Sequence, residues 1–331
     1  MRLVTFSEQA GISKVGLVHG SGIVDLCAAT ESILFEKERR PAHEARDAAR
    51  KAIPHSMLDL IKRGPDGVAS VRRVAGFLDR IEDSELANSH SPSGDRIVYD
   101  QEKVTLLQPL QVFRALNIGA NYNAYLAMMN IVEPYEGTAE TFWKLPQTLI
   151  GPEEGIVWPI SSKQITCEME LGVIIGKKGK RIPKEDALDS VFGYTVVNDV
   201  TAIDLFKRGL GKGREGLPGF YYLALAKSMD TFEPIGPCIT LREDIPDPQN
   251  LNGELRVNGV LQVKGNTSDM RLGVAELIEY ISQDITLYPG DLIATGAMAT
   301  AEYAPQVSVQ IGDTVEMEIA QIGVLRNHIE G

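Results

Sequence analysis

Histidine and cysteine are scarce in this 331-residue chain, with five and three copies. The cysteines, Cys27, Cys167 and Cys238, lie far apart and form no C-x-x-C pair. Neither a disulfide framework nor a thiolate zinc site is therefore expected, and a reducing, cytoplasmic setting is the default expectation. The histidines are His19, His43, His55, His90 and His328, so residues 91–327 contain none. An H-E-x-x-H metalloprotease is excluded, and chemistry seated in that stretch runs without imidazole unless His328 folds back. Long apolar runs are missing too. The longest spans about six residues near Leu171–Gly176, against the ~20 that a membrane helix needs. The opening MRLVTFSEQAGISK has neither the apolar stretch nor the cleavage site of a secretory signal. Positive charge is in deficit: 33 Lys and Arg face 45 Asp and Glu, a net −12. That balance argues against nucleic acid as a partner, because phosphates demand a basic face.

What is present reads as a soluble α+β chain, 44% hydrophobic and 24% charged. Short strand-like runs open it at Leu3–Phe6, Val15–Val18 and Ile23–Leu26, the last two joined through Gly20-Ser21-Gly22 as a hairpin. Residues 36–51 mix both charge signs and read as a solvated face. Val68, Val71, Val74, Phe77, Leu78 and Ile81 repeat at helical spacing. The turn-rich stretch Asn88–Asp95 lacks apolar residues and reads as the end of a small N-terminal α+β domain, so that 1–100 and 101–331 form two units. Beyond residue 100 strands dominate: Val104–Leu107, Leu171–Ile175, Tyr194–Val197, Cys238–Leu241, Leu255–Val257, Val260–Val263, Leu292–Thr295, Val315–Ile319 and Val324–Leu325. Asn258-Gly259 fits a tight type I′ hairpin. One helix interrupts, with Val274, Leu277, Ile278, Ile281 and Ile285 on one face and Ser268 or Asp269 as its expected cap. Strands and helices do not alternate, which excludes a doubly wound sheet and favours a strand-dominated, mixed α+β fold.

The chemistry concentrates in Cys167-Glu168-Met169-Glu170-Leu171. Alternate residues of a strand share a face, so Glu168 and Glu170 point one way and Cys167, Met169 and Leu171 the other. The apolar continuation marks the strand as buried. Two carboxylates about 4 Å apart repel by about 4 kcal/mol at an effective dielectric of 20. A buried pair must be protonated, paired with a cation or bound to a metal. The strand Tyr194–Val197 ends in Asn198-Asp199, which adds a third carboxylate. Three oxygen donors without sulfur or imidazole suit Mg²⁺, Mn²⁺ or Ca²⁺ rather than zinc. Three carboxylates around a dication still leave a negative charge, so an acidic substrate needs a further cation; Lys227 is the candidate.

Together, CEMELGVIIG, GYTVVNDVTAIDL, AKSMDTFEPIGP, NTSDMRLGVAELI, PGDLIATG and GDTVEMEIAQIGVLRN resemble the fumarylacetoacetate hydrolase superfamily over roughly residues 110–328. The resemblance implies a mixed β-roll catalytic domain, usually in a homodimer, preceded by a smaller variable domain. It also implies a divalent metal, Mg²⁺ or Mn²⁺, held by Glu168, Glu170 and Asp199, with Lys227 as the lysine that contacts an acidic small-molecule substrate. Thr295 and Gly296 fall beside the substrate-holding loop, and Tyr122 and Tyr125 belong to a G-x-N-Y segment near the substrate. Members act on 2-oxo and 1,3-dicarbonyl acids by C–C hydrolysis, decarboxylation, tautomerisation or dehydration.

The chain departs from the family's pattern around this core. Tyr125 and Met128 stand where many members have a water-activating histidine and glutamate. A tyrosine is a poor base at neutral pH and methionine offers no proton. Ile203 and Phe206 replace a common arginine and glutamine, and Thr-Gly-Thr-Pro becomes Thr295-Gly296-Ala297-Met298. Glu140 is the substitute base suggested by dehydratase-like members. Lys144 reads as a supporting residue, and the glycine-rich, basic stretch 207–219 as a lid or a solvated loop. Three readings follow. C–C hydrolysis of a fumarylacetoacetate-like or acylpyruvate-like acid is the first expectation. The alternatives are a decarboxylase, tautomerase or dehydratase on the same site, and a non-catalytic binding protein.

Overall fold

The computed structural model describes residues 1–8, 11–80, 89–129, 138–211, 221–300, 302–304 and 306–331. Its frame is a twelve-stranded sheet. The main path runs Val98–Asp100, Gly22–Asp25, Lys14–His19, Arg2–Ser7, Glu233–Leu241, Val191–Asn198, Met169–Ile175, Leu292–Ala297, Ala115–Gly119 and Glu140–Lys144. A five-stranded sheet, Val260–Asn266, Asn252–Val257, Thr314–Ile319, Gly323–Glu330 and Gly155–Val157, forms a second layer. The fold is strand-dominated α+β, as the sequence pattern predicts.

The N-terminal hairpin forms where glycine allows it. Gly20 has φ +57°, and the strands pair from Gly16↔Asp25 to His19↔Gly22. Leu26 leaves the strand and opens the helix Leu26–Glu36, because the Asp25 carboxylate accepts the N–H groups of Cys27 and Ala28 at 2.9 and 3.1 Å. The strand Arg2–Ser7 pairs with Glu233–Leu241 in the register Leu3↔Ile239, so the first strands extend the sheet that carries the carboxylates. The mixed-charge segment 36–51 contributes the helix Ala42–Ala52, which buries Ala45 and Ala49. The helical repeat from Val68 forms the helix Pro65–Leu78, which buries Val71, Val74 and Leu78; Ile81 lies outside the described residues.

Side-chain alternation divides the core. Cys167, Met169, Leu171 and Val173 join Tyr194, Val196, Leu277, Ile278 and Ile281 in one cluster. Ile174 and Val197 belong to the opposite one with Leu3, Leu17, Ile33, Val71 and Val74. The Asn258-Gly259 turn has φ +51° and +77° at its two residues, as a type I′ hairpin requires.

One expectation fails. Ser268 and Asp269 do not cap the helix at Val274; they lie in a short 3₁₀ turn capped by Asn266. The helix Val274–Ser282 starts instead from Gly273, whose N–H donates to the Glu276 carboxylate at 2.7 Å, while Val274 N–H donates to Gln249 Oε1 at 2.7 Å. Asp269 serves another helix, Asn123–Met129, by accepting the Ala124 N–H at 2.9 Å. Ile285 lies beyond the helix end, and its N–H donates to Ile281 O at 3.1 Å.

Leu3 is fully buried between the N-terminal helices and the shared sheet. Leu3→Ala is expected to lower unfolding free energy by about 2–5 kcal/mol, read as a reduced urea midpoint at unchanged slope.

Candidate metal centre and active site

Three neighbouring strands assemble the site. Met169–Ile175 lies between Val191–Asn198 and Leu292–Ala297. Glu170 pairs with Val197, Met169 with Asn198, and Asp199 N–H donates to Glu168 O at 3.0 Å. This register places Asp199 opposite Glu168 and on the face that Glu168 and Glu170 share. One carboxylate oxygen from each of the three lies within 4.8 Å of the others. All three side chains are buried.

Each carboxylate is held differently. Lys227, at the end of the helix Tyr221–Lys227, places Nζ 2.8 Å from Glu168 Oε2 and 2.6 Å from Asp199 Oδ2. Lys144, at the end of the strand Glu140–Lys144, places Nζ 2.8 Å from Asp199 Oδ1. Burial works against the Asp199 charge, but the two ammoniums outweigh it and hold this carboxyl below its ordinary range. Burial likewise opposes the Lys227 charge, and Asp199 and Glu168 more than reverse that, so the ammonium persists far above neutral pH. Glu168 is raised by burial, with Lys227 pulling back. Glu170 accepts the Gly296 N–H at 2.8 Å; burial, then the charges of Asp199 and Glu168, push its carboxyl well above the ordinary range.

These residues fit a hard dication. The donors are oxygens only, they converge, and among the described residues Glu170 has no ammonium of its own to balance its charge. Such a carboxylate keeps a proton or takes a metal.

The other expected site residues arrange around this core. Thr295 is buried and donates its hydroxyl to Leu171 O at 3.0 Å. Gly296 has φ +100°, and a Cβ there would come within 2.9 Å of the Asn121 Cβ, so the tight turn that presents its N–H to Glu170 demands glycine. Asn121 braces that turn, donating to Thr295 O at 2.8 Å and to Leu272 O at 3.0 Å. Tyr122 is fully buried, and burial together with the Glu170 charge pushes its phenol well above the ordinary value. Tyr125 lies within electrostatic reach of Glu168, Lys227 and Glu140, and burial pushes its phenol up to about 12. Glu140 is exposed at the start of its strand, the last in the sheet. Met128 is exposed, whereas Ile203 and Met298 are buried and Phe206 is half-buried against the large core cluster. Of the basic stretch, Lys207 and Arg208 lie on the helix Ile203–Gly211, with Arg208 3.7 Å from Asp204; Lys212 and Arg214 lie outside the described residues. A cleft of about 530 Å³ beside the start of the helix Pro65–Leu78 shares none of these residues.

Two buried polar residues are invisible to motif reading. Glu233 Oε2 sits 3.1 Å from Lys144 Nζ, and Asn117 Nδ2 donates to Glu233 Oε1 at 3.0 Å. Glu233 is a lone acid in Thr231-Phe232-Glu233-Pro234-Ile235. Its isolation in an apolar run is the one available signal, and it names no partner.

Residues 114–330 match the model of the fumarylacetoacetate (FAA) hydrolase C-terminal domain. The chain belongs to this family. It is 36% identical to the mitochondrial oxaloacetate tautomerase FAHD2A of Homo sapiens over 261 residues, 78% of this chain and 80% of that protein. It is 34% identical to the oxaloacetate tautomerase YisK of Bacillus subtilis, over 84% of this chain and 88% of that one. Among solved structures, the maleylpyruvate hydrolase of Sphingobium sp. SYK-6, in complex with manganese(II) and pyruvate, matches all of this chain and 99% of its own, with TM-score 0.66 and 25% identity. The family's enzymes thus include tautomerases and hydrolases, and this chain carries a buried acidic triad able to take a divalent metal. No helix among the described residues is long and apolar enough to cross a membrane.

Protons and metal compete for the raised carboxyls. In the metal-free protein Glu168 and Glu170 hold protons above their ordinary range, so metal uptake releases them and affinity rises with pH. Mn²⁺ titration by calorimetry is expected to show tighter binding at about pH 8 than at about pH 6. Glu170→Gln is expected to weaken Mn²⁺ binding by about a hundredfold or more.

Proposed function

We propose that this protein is a divalent-metal-dependent enzyme that interconverts the keto and enol forms of a 2-oxo diacid, an oxaloacetate-type tautomerase. The observation that carries the reading is a metal triad with an ammonium bridging two of its carboxylates and, among the described residues, no imidazole beside it to activate water. Tautomerisation needs one proton moved from carbon to oxygen; hydrolysis needs an activated water as well. Tyr125, with its phenol near 12, stays protonated and cannot serve as that second base.

Glu168, Glu170 and Asp199 would hold the metal, Mg²⁺ or Mn²⁺. A bound dication supplies Lewis acidity to the paired oxygens of a 2-oxo acid. Lys227 remains an ammonium and donates a hydrogen bond to the oxygen on which negative charge develops. Glu140, exposed and within electrostatic reach of Tyr125, takes the proton from the carbon next to the carbonyl and delivers it to the carbonyl oxygen, which leaves the enol and an ionised Glu140; the reverse transfer restores the keto form. Gly296 keeps Glu170 in place through its N–H, and Thr295 ties the same turn to the Met169–Ile175 strand through Leu171 O. Similarity to the oxaloacetate tautomerases supports the reading.

C–C hydrolysis is the second reading, favoured by likeness to the maleylpyruvate hydrolase over the full chain. The two separate on products. With Mn²⁺, enol-oxaloacetate absorbance is expected to decay faster in the presence of the protein. Glu140→Gln is expected to lower kcat by about a hundredfold with Mn²⁺ affinity intact. Release of pyruvate and a carboxylic acid from an acylpyruvate, with no acceleration of enol decay, moves the assignment to hydrolysis.

A further inference from the structure

We infer that Glu233 is a fourth carboxylate of this charge assembly, a positioning residue that binds no metal itself but sets, through Lys144, the net charge that both the metal and the anionic substrate meet. The inference rests on the metal-centre reading above. Glu233 is fully buried at the first position of the strand Glu233–Leu241. Its Oε2 lies 3.1 Å from Lys144 Nζ, and the same nitrogen lies 2.8 Å from Asp199 Oδ1. Lys144 also donates to Phe232 O at 2.7 Å. Asn117 Nδ2 holds the Glu233 carboxylate from the other side at 3.0 and 3.3 Å. Asn117, Glu233, Lys144 and Asp199 form one continuous buried line ending at a metal ligand.

The count of charges gives this line its consequence. Once metal uptake has displaced the protons of Glu168 and Glu170, the ionised Glu168, Glu170, Asp199 and Glu233 face Lys144 and Lys227, which leaves two negative charges for the cation to meet. One dication neutralises them. Were residue 233 neutral, the cation would meet a single negative charge and the loaded site would carry a positive one. In a dry interior, charges one contact removed from each other still interact strongly. Glu233 therefore strengthens the hold on the cation and weakens the hold on an anion bound to the loaded site. A nearly neutral loaded site also lets a charged product leave. A purely structural role would move both affinities in the same direction, and this opposition is what separates the two explanations.

The test uses Mn²⁺ titrated into the metal-free full chain and oxalate titrated into the Mn²⁺-loaded protein, both by calorimetry. Titrations are run at about pH 8, above the value of about 7 to which burial lifts the Glu233 carboxyl. Glu233→Gln keeps the shape and the Lys144 contact but removes the charge. It is expected to bind Mn²⁺ about tenfold more weakly and oxalate several-fold more tightly than wild type. Glu233→Asp, which restores the charge, is expected to return both values to within about threefold of wild type. Glu233→Ser serves as the neutral variant should the glutamine chain not fold. Shifts of the same sign in the two titrations, or an unchanged Mn²⁺ affinity in the neutral variants, overturn the inference while leaving the metal centre standing. A wild-type chain that takes up no Mn²⁺ overturns the metal-centre reading and this inference with it.

Discussion

Carboxylates that repel one another are forced together in a dry place, and the rest of the site is organised around keeping them there. Glu168, Glu170 and Asp199 would separate or stay protonated without opposite charge. Two ammoniums reach them from different parts of the chain. Lys227 arrives on a helix end and spans Glu168 and Asp199; Lys144 arrives on a strand end and takes the other oxygen of Asp199. Among the described residues, Glu170 is left to a single backbone N–H, that of Gly296. The shortfall of positive charge is what makes the cluster receptive to a dication. A fully compensated cluster would be an inert ion network.

The sheet makes this arrangement affordable in conformational terms. The ligands come from the middle of a twelve-stranded sheet, paired on both sides, so backbone order there is imposed by long-range hydrogen bonding. The N-terminal strands extend the same sheet through Leu3↔Ile239, and their helices cover the face that carries Ile174 and Val197. Burial of that face keeps the dielectric low around the carboxylates. Low dielectric in turn strengthens every charge interaction the chemistry uses.

Much of this was legible in the residues themselves. Alternation along Cys167–Leu171 put the glutamates on one face, and the structure places Cys167, Met169 and Leu171 together in the opposing cluster. Asp199 was legible as the polar end of an apolar strand. The hairpin turns were legible because glycine and asparagine occupy left-handed positions that few other residues tolerate. The helix start at Val274 was not. Ser268 and Asp269 are good capping residues, but Asp269 is drawn to a helix about 145 residues earlier in the chain, and a glutamine from another loop fills its expected place. Glu233 and Asn117 were unreadable for a related reason. A side chain's partner across a sheet depends on strand order, and strand order is not written in local spacing. Lys144 was read as a supporting residue, but its two partners, Asp199 and Glu233, lie far off in sequence.

The strand Glu140–Lys144 lies at the end of the sheet, paired among the described residues with Ala115–Gly119 alone. Terminal strands are ordinarily the forgiving part of a sheet, free to fray or slide. Here the strand's first residue meets solvent and its last is a fully buried ammonium between two acids. A slip of one position would carry the Trp143 indole inward and leave Asp199 and Glu233 facing each other without a counterion. The outermost strand of this sheet is thus among its least tolerant, and its alignment with a single neighbour guards the charge balance of the centre.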